Sequence, residues 1–262
     1  MTTHHVTQPH VPSTTGDPTR AIGRGRRSLL AASGLLACAV PAMFAVNITR
    51  MLLTGADADH RFHQLTGQGE ILCALWLVPI LAMLRAGWHG RRPSAAAGWA
   101  HLVLVLAGAV SAAVSQGGGA PVLMLVVGVP GAFLWACLPL RPRLRVPVQV
   151  HPVLMPVALV ASAVLLPYAI DQLALQDAAT GYHAENPHYF DMAWISIVLA
   201  SYSLLAALLP AARVLALGFA AAMVWTGSAG LALGEGVAWS ASVLACGVLA
   251  GTAWAADRRR GR

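Results

Sequence analysis

The sequence contains no lysine, so every fixed positive side chain among its 262 residues is an arginine. Acid is scarce too: ten aspartates and glutamates stand against seventeen arginines, and charged residues make up 10% of the chain, against about 25% in a soluble domain. Cys38, Cys73, Cys137 and Cys246 each lie in a different apolar stretch. That spacing excludes a disulfide framework or cysteine zinc site and reads as thiols packed in hydrocarbon. There is no glycine-rich phosphate loop, so the chain is no ATPase by itself.

Hydrocarbon takes the place of charge. The chain is 57% apolar, and the apolar residues gather in blocks at 28–53, 70–85, 96–115, 120–140, 152–170, 187–209, 214–233 and 237–256. Runs of about eighteen or more apolar residues are long enough to cross a bilayer. The sequence therefore predicts an all-α, polytopic integral membrane bundle of about eight transmembrane helices. A net charge of +7 would suggest nucleic acid in a soluble chain, but here the arginines cluster between apolar blocks, so no nucleic-acid partner is expected. Residues 1–27 read as a disordered basic cytoplasmic tail in which His4, His5 and His10 carry no site, 28–256 as the membrane domain and 257–262 as a basic cytoplasmic end. Block 28–53 follows Arg26 and Arg27 and contains a lipobox-like stretch ending at Cys38, yet it continues far enough to span and is read as uncleaved.

The arginines set the orientation. Arg85, Arg91, Arg92, Arg141, Arg143, Arg145, Arg213 and the group 258–262 fall on the side of the N-terminal tail, and only Arg50 and Arg61 fall on the other. An eight-span count with both termini cytoplasmic, in the plasma membrane, satisfies the positive-inside rule; seven spans would break it. The acids outside the tails fall on the outer side or at outer helix ends. Spans one to four and five to eight each have a long outer loop (54–69 and 171–186) followed by a short glycine-containing one, a pattern that suggests two four-helix parallel repeats.

The two long loops carry the polar chemistry. The first holds Asp57, Asp59, His60 and His63, followed by Glu70 at the start of span two; the second holds His183, Glu185, His188 and Asp191. Asn186-Pro187 reads as a helix start, with asparagine as the cap. His188 and Asp191, three residues apart, then share one face of the first turn. His60, His63, His183 and His188 are candidate ligands for a divalent transition metal, since imidazole with carboxylate is a common set for zinc, iron or copper. The plain alternative is a hydrated loop whose acids favour helix N-termini. Glu70, followed at once by Ile71, Leu72 and Cys73, is a membrane-boundary carboxyl suited to a general acid or proton-coupled group, or to a structural pair with Arg50.

Other features read as structural. Trp76, Trp88, Trp135, Tyr168, Tyr189, Trp194 and Trp239 fit interfacial belts, and His89, His101 and His151 fit the inner membrane edge. Pro41, Pro130, Pro156 and Pro167 are expected to kink their spans. Gly247 and Gly251 form a close-packing pair. Ser196, Ser201, Tyr202 and Ser203 make span six the most polar membrane helix. In outline, a small multi-span chain with isolated acids at helix ends resembles the integral-membrane terpene cyclases, a likeness that implies embedded carboxylic acids as catalysts and carries no residue across. The leading expectation is an enzyme acting on a lipid or isoprenoid: Glu70 or Asp191 as proton donor, His183 and His188 assisting, and Arg50, Glu185 and Tyr202 binding substrate, with membrane lipids as partners. The rival readings are a transporter or permease subunit working with an ATPase subunit, and a non-catalytic assembly partner.

Overall fold

Helices dominate because a chain in hydrocarbon must pair its backbone groups within each segment. The computed structural model describes residues 23–115 and 117–260; the readings placed on the first 22 residues and on the last two lie outside it. In chain order the helices are α1 (Arg24–Thr54), α2 (Arg61–Leu65), α3 (Glu70–Trp88), α4 (Ala95–Val114), α5 (Ala120–Cys137), α6 (Leu154–Ala178), α7 (Tyr182–Glu185), α8 (His188–Leu208), α9 (Leu215–Leu233) and α10 (Val237–Arg260). Among the described residues there is no strand, and eight helices are long and apolar enough to cross a membrane, with α2 and α7 as short pieces in the two long connections. The chain is a multi-pass membrane helix bundle, as expected.

Both halves of the chain have the same neighbour pattern. In the first, α1 packs on α3 and α5, and α4 packs on α3 and α5; in the second, α6 packs on α8 and α10, and α9 packs on α8 and α10. The halves meet mainly where α8 lies against α4. Trp194 of α8 is fully buried at this junction, its indole Nε1 donates to the Leu104 carbonyl at 2.7 Å, and its ring lies 5.6 Å from that of Trp76. Trp76 and Trp194 are thus core residues rather than members of an interfacial belt. Each tryptophan brings a large ring to a helix–helix seam, and Trp194 finds a carbonyl for its N–H, which a buried indole requires.

Packing corrects some of the other expectations and agrees with others. Helix α6 continues two turns beyond residue 170, because Gln172, Leu173 and Gln176 bury one face of it and Asp177 accepts from the Ser115 hydroxyl at 2.7 Å. Pro156 lies in the first turn of α6, where no intrahelical N–H is lost; the interior prolines are Pro41, Pro130, Pro167 and, unforeseen, Pro79. His101 is buried, with its Nδ1 accepting from Trp135 Nε1 at 3.1 Å. His151 is buried too, and its Nδ1 accepts from the N–H groups of Val153 and Leu154 at the start of α6. Ser196, Ser201 and Ser203 bond back to carbonyls of their own helix. Gly247 allows α10 to approach α9, since a Cβ there would stand 2.8 Å from the Val224 nitrogen.

Candidate metal centre

The two long connections fold onto the start of α8. Gly55 closes α1 in the left-handed conformation, φ 73°, a common helix terminator. The chain then turns through Asp57, at φ 50°, into α2. Gln64 is buried and donates to the carbonyls of Ala56 and Asp57 at 3.0 and 3.1 Å, folding the loop upon itself. Arg61 donates to the Leu52 carbonyl at 3.1 Å, and the Thr66 hydroxyl bonds the Phe62 carbonyl at 2.6 Å and lies 3.3 Å from Met192 Sδ on α8. Gly67 packs on the same methionine, with no room for a Cβ. These contacts hold His60 and His63 over the first turn of α8.

From the other half, Gln176 near the end of α6 fixes the second loop. It is 1% exposed; its amide donates to the His183 carbonyl at 2.9 Å, and its Oε1 accepts from the Phe190 N–H at 3.2 Å. One side chain thus ties α6, the loop and α8 together. The expected Asn186 cap does not form: α8 begins at His188, and the Asn186 amide donates to the Tyr182 carbonyl at 3.2 Å.

The result is a cluster of four imidazoles drawn from loops more than a hundred residues apart. Candidate ligand atoms of His60, His183 and His188 all lie within 4.8 Å of one another. Ring centroids are 5.1 Å apart for His60 and His188, 5.2 Å for His60 and His183, and 5.6 Å for His183 and His188. His63 flanks the group, its ring 5.8 Å from His188 and 6.3 Å from His60. Tyr182 packs on His60 and His188, and Tyr189 on His63 and His183. His188 is 3% exposed. Neither of its nitrogens, nor the Nδ1 atoms of His63 and His183, finds a hydrogen-bond partner among the described residues. Burial, and next the charge of Asp57 and a hydrogen bond to it, push the Tyr182 phenol up from its ordinary value.

The acids divide. Asp191 follows His188 by one turn, is 2% exposed, has an unpartnered Oδ1, and lines a small space with Gln68, Cys73 and Trp76. Glu70 instead lines a large apolar groove and accepts from the Thr49 hydroxyl at 2.8 Å. Arg50 donates to Asn47 at 3.2 Å rather than pairing with Glu70; among the described residues the arginine–carboxylate ion pair is that of Arg213 with Asp257, and His151 Nε2 lies 3.7 Å from the same carboxylate. Glu185 is exposed on α7. Tyr202 lines the groove, but its hydroxyl is already donated to the Ala100 carbonyl at 3.2 Å. The expected catalytic set therefore separates into His183, His188 and Asp191 at one place and Glu70 at another.

Gln176, Tyr182 and Tyr189 are residues of the site that sequence reasoning missed. The only signal for Gln176 was a polar amide at the end of an apolar block. A buried polar group left without its partner costs about 1–3 kcal/mol. Gln176→Leu, close in size and left without the amide, strands the His183 carbonyl and the Phe190 N–H and is expected to lower stability by about that much while the helix content by circular dichroism stays unchanged. Thermal unfolding checks it, and an unchanged midpoint would show that the amide does not fix the loop.

No protein-family model, curated protein or solved structure matches the chain.

Proposed function

We propose that the chain is a multi-pass membrane metalloprotein whose working centre is one first-row transition ion held by His60, His183 and His188, with His63 beside it. The observation that carries this reading is the convergence of buried imidazole nitrogens that lack partners. A buried polar group left unpaired costs about 1–3 kcal/mol, and several in one cluster are best accounted for by a shared ligand. Neutral imidazoles suit zinc, copper or iron. To bind zinc the nitrogens would draw in from within 4.8 Å to roughly 3.4 Å, the separation that follows from tetrahedral bonds of about 2.0–2.1 Å.

Three imidazoles would leave one position on a four-coordinate ion open to water or substrate, as in a catalytic rather than a sealed structural site. This supports an enzyme at the membrane face, in which His60, His183 and His188 would hold the ion, which would act as a Lewis acid, with Tyr182 packed beside them and Asp191 one turn below. Its substrate is a lipid or isoprenoid reaching that face from the bilayer. The transport reading needs a polar path through the bundle; the space beneath His188 is about 10 Å³ and walled by Leu72, Trp76 and Trp194. That is at the limit for a single water, so this space supports a fixed centre over a conduit. The arginine distribution supports a plasma-membrane orientation with both termini cytoplasmic and the histidines on the outer face.

Elemental analysis of protein purified without chelator tests the reading. About one equivalent of zinc, copper or iron is expected, removable by chelator and restored by the free ion. Less than about a tenth of an equivalent, before and after incubation with each ion, would overturn it.

A further inference from the structure

The groove that takes Glu70 is a second site, independent of the histidines. It is a cavity of about 930 Å³ at the junction of the two halves, between α3 and α9, with the start of α4 and Tyr202 behind it. Small residues make the hollow: Ala97 and Ala100 stand at its back, Ala74 on α3 and Gly218 on α9. A Cβ added at Gly218 would meet nothing within 4 Å. The α3 positions that line it run from Glu70 to Ala82, about 18 Å along the axis at 1.5 Å per residue. That is close to one leaflet, half of a hydrocarbon core about 30 Å thick.

Its wall is hydrocarbon. Tyr202 has donated its hydroxyl to the Ala100 carbonyl, and Trp225 donates its indole N–H to the Leu65 carbonyl at 2.9 Å, closing the groove against α2. Val78 in the wall is 63% exposed, so the opening is lateral, toward lipid. The one carboxyl group in the lining, among the described residues, is Glu70, at the end nearest the two long loops. A carboxylate there repels an anionic headgroup. An ammonium would give up its hydration for a lining that is otherwise hydrocarbon. An uncharged hydrogen-bond donor satisfies both conditions. The groove also lies on the far side of α2 from the cluster: His63 and Leu65, two residues apart on that helix, point in opposite directions.

We infer that this groove binds one long-chain lipid alcohol, its chain along α3 and α9 and its hydroxyl donating to the Glu70 carboxylate. The experiment uses the full chain in nanodiscs with a diazirine-bearing long-chain alcohol, followed by peptide mapping and competition with unlabelled alcohol, amine and acid of equal chain length. The expected result is labelling of α3 and α9 peptides that the alcohol suppresses at least tenfold more effectively than the amine or acid. Gly218→Leu, which fills open space, is expected to cut labelling at least tenfold and leave bound metal unchanged. Equal competition by all three headgroups, labelling elsewhere, or labelling untouched by Gly218→Leu would each overturn the assignment. So would Val78→Cys chains that crosslink to one another, since they assign the groove to a second copy. Because metal content is read in the same samples, failure of the groove and failure of the metal centre are separate results.

Discussion

Replacement of His188 by alanine is expected to take bound metal from about one equivalent to below a tenth, the largest loss of any single substitution at the centre. His188 is the hub: its ring stacks on His60 at 5.1 Å, approaches His63 at 5.8 Å, and is buried with both nitrogens unpartnered. Removing it leaves two members of the closest trio, and His63 lies too far from His60, at 6.3 Å between rings, to replace it without moving α2. The loss should therefore exceed the 10–100-fold typical of outer-shell changes, whereas His63→Ala, which spares the trio, should weaken binding by about tenfold and keep stoichiometry. A purely structural histidine would also destabilise when removed, so thermal unfolding must be compared with and without metal. An ion at a hundred times its dissociation constant stabilises a protein by about 2.7 kcal/mol. The wild type should gain that increment and His188→Ala should gain none; equal gains in both would remove the metal centre from the account.

The membrane helices were legible because hydrophobic length is a local property, and their ends fell within a few residues of the composition breaks except at α6. There Gln172, Gln176 and Asp177 looked like loop because they are polar, but two of them are buried against neighbouring elements. Tertiary partners had made the polar turns stable. The histidines were legible as residue types in two loops, whereas their convergence was not: nothing local links His60 to His183, and the contact arises from the packing of α8 between the halves. Glu70 was legible as a boundary acid, but its direction was not. It begins α3 facing the groove, while Asp191 faces inward from α8, and helix phase relative to unseen neighbours decides such things. Trp76 and Trp194 show the same limit in the apolar part, where a span-end tryptophan reads as interfacial until a partner helix covers it.

Gly69→Ala is expected to be the most damaging one-atom change in the molecule. Gly69 stands between α2 and α3 at φ −109° and ψ −131°, and a Cβ there would fall onto the Gln64 carbonyl, with Ile48 Cγ2 at 2.9 Å on the other side. A carbonyl on the backbone cannot rotate away as a side chain can, so the turn itself must open. Gln64 also carries the loop fold through Ala56 and Asp57, and the Gly69 carbonyl accepts the Cys73 N–H at 3.0 Å in the first turn of α3. Opening the turn therefore disturbs α2, and with it the placement of His60 and His63. The expected cost is at the upper end for overpacking, about 3 kcal/mol, with metal affinity reduced by about 10–100-fold. Gly218→Ala is the matched control, because its Cβ enters open space and alanine favours the helix by about 1 kcal/mol over glycine. Thermal unfolding and metal titration of the two variants check the argument. If Gly69→Ala unfolds with the wild type and binds metal equally, the turn does not hold the two histidines, and α7 with α8 must suffice to shape the site.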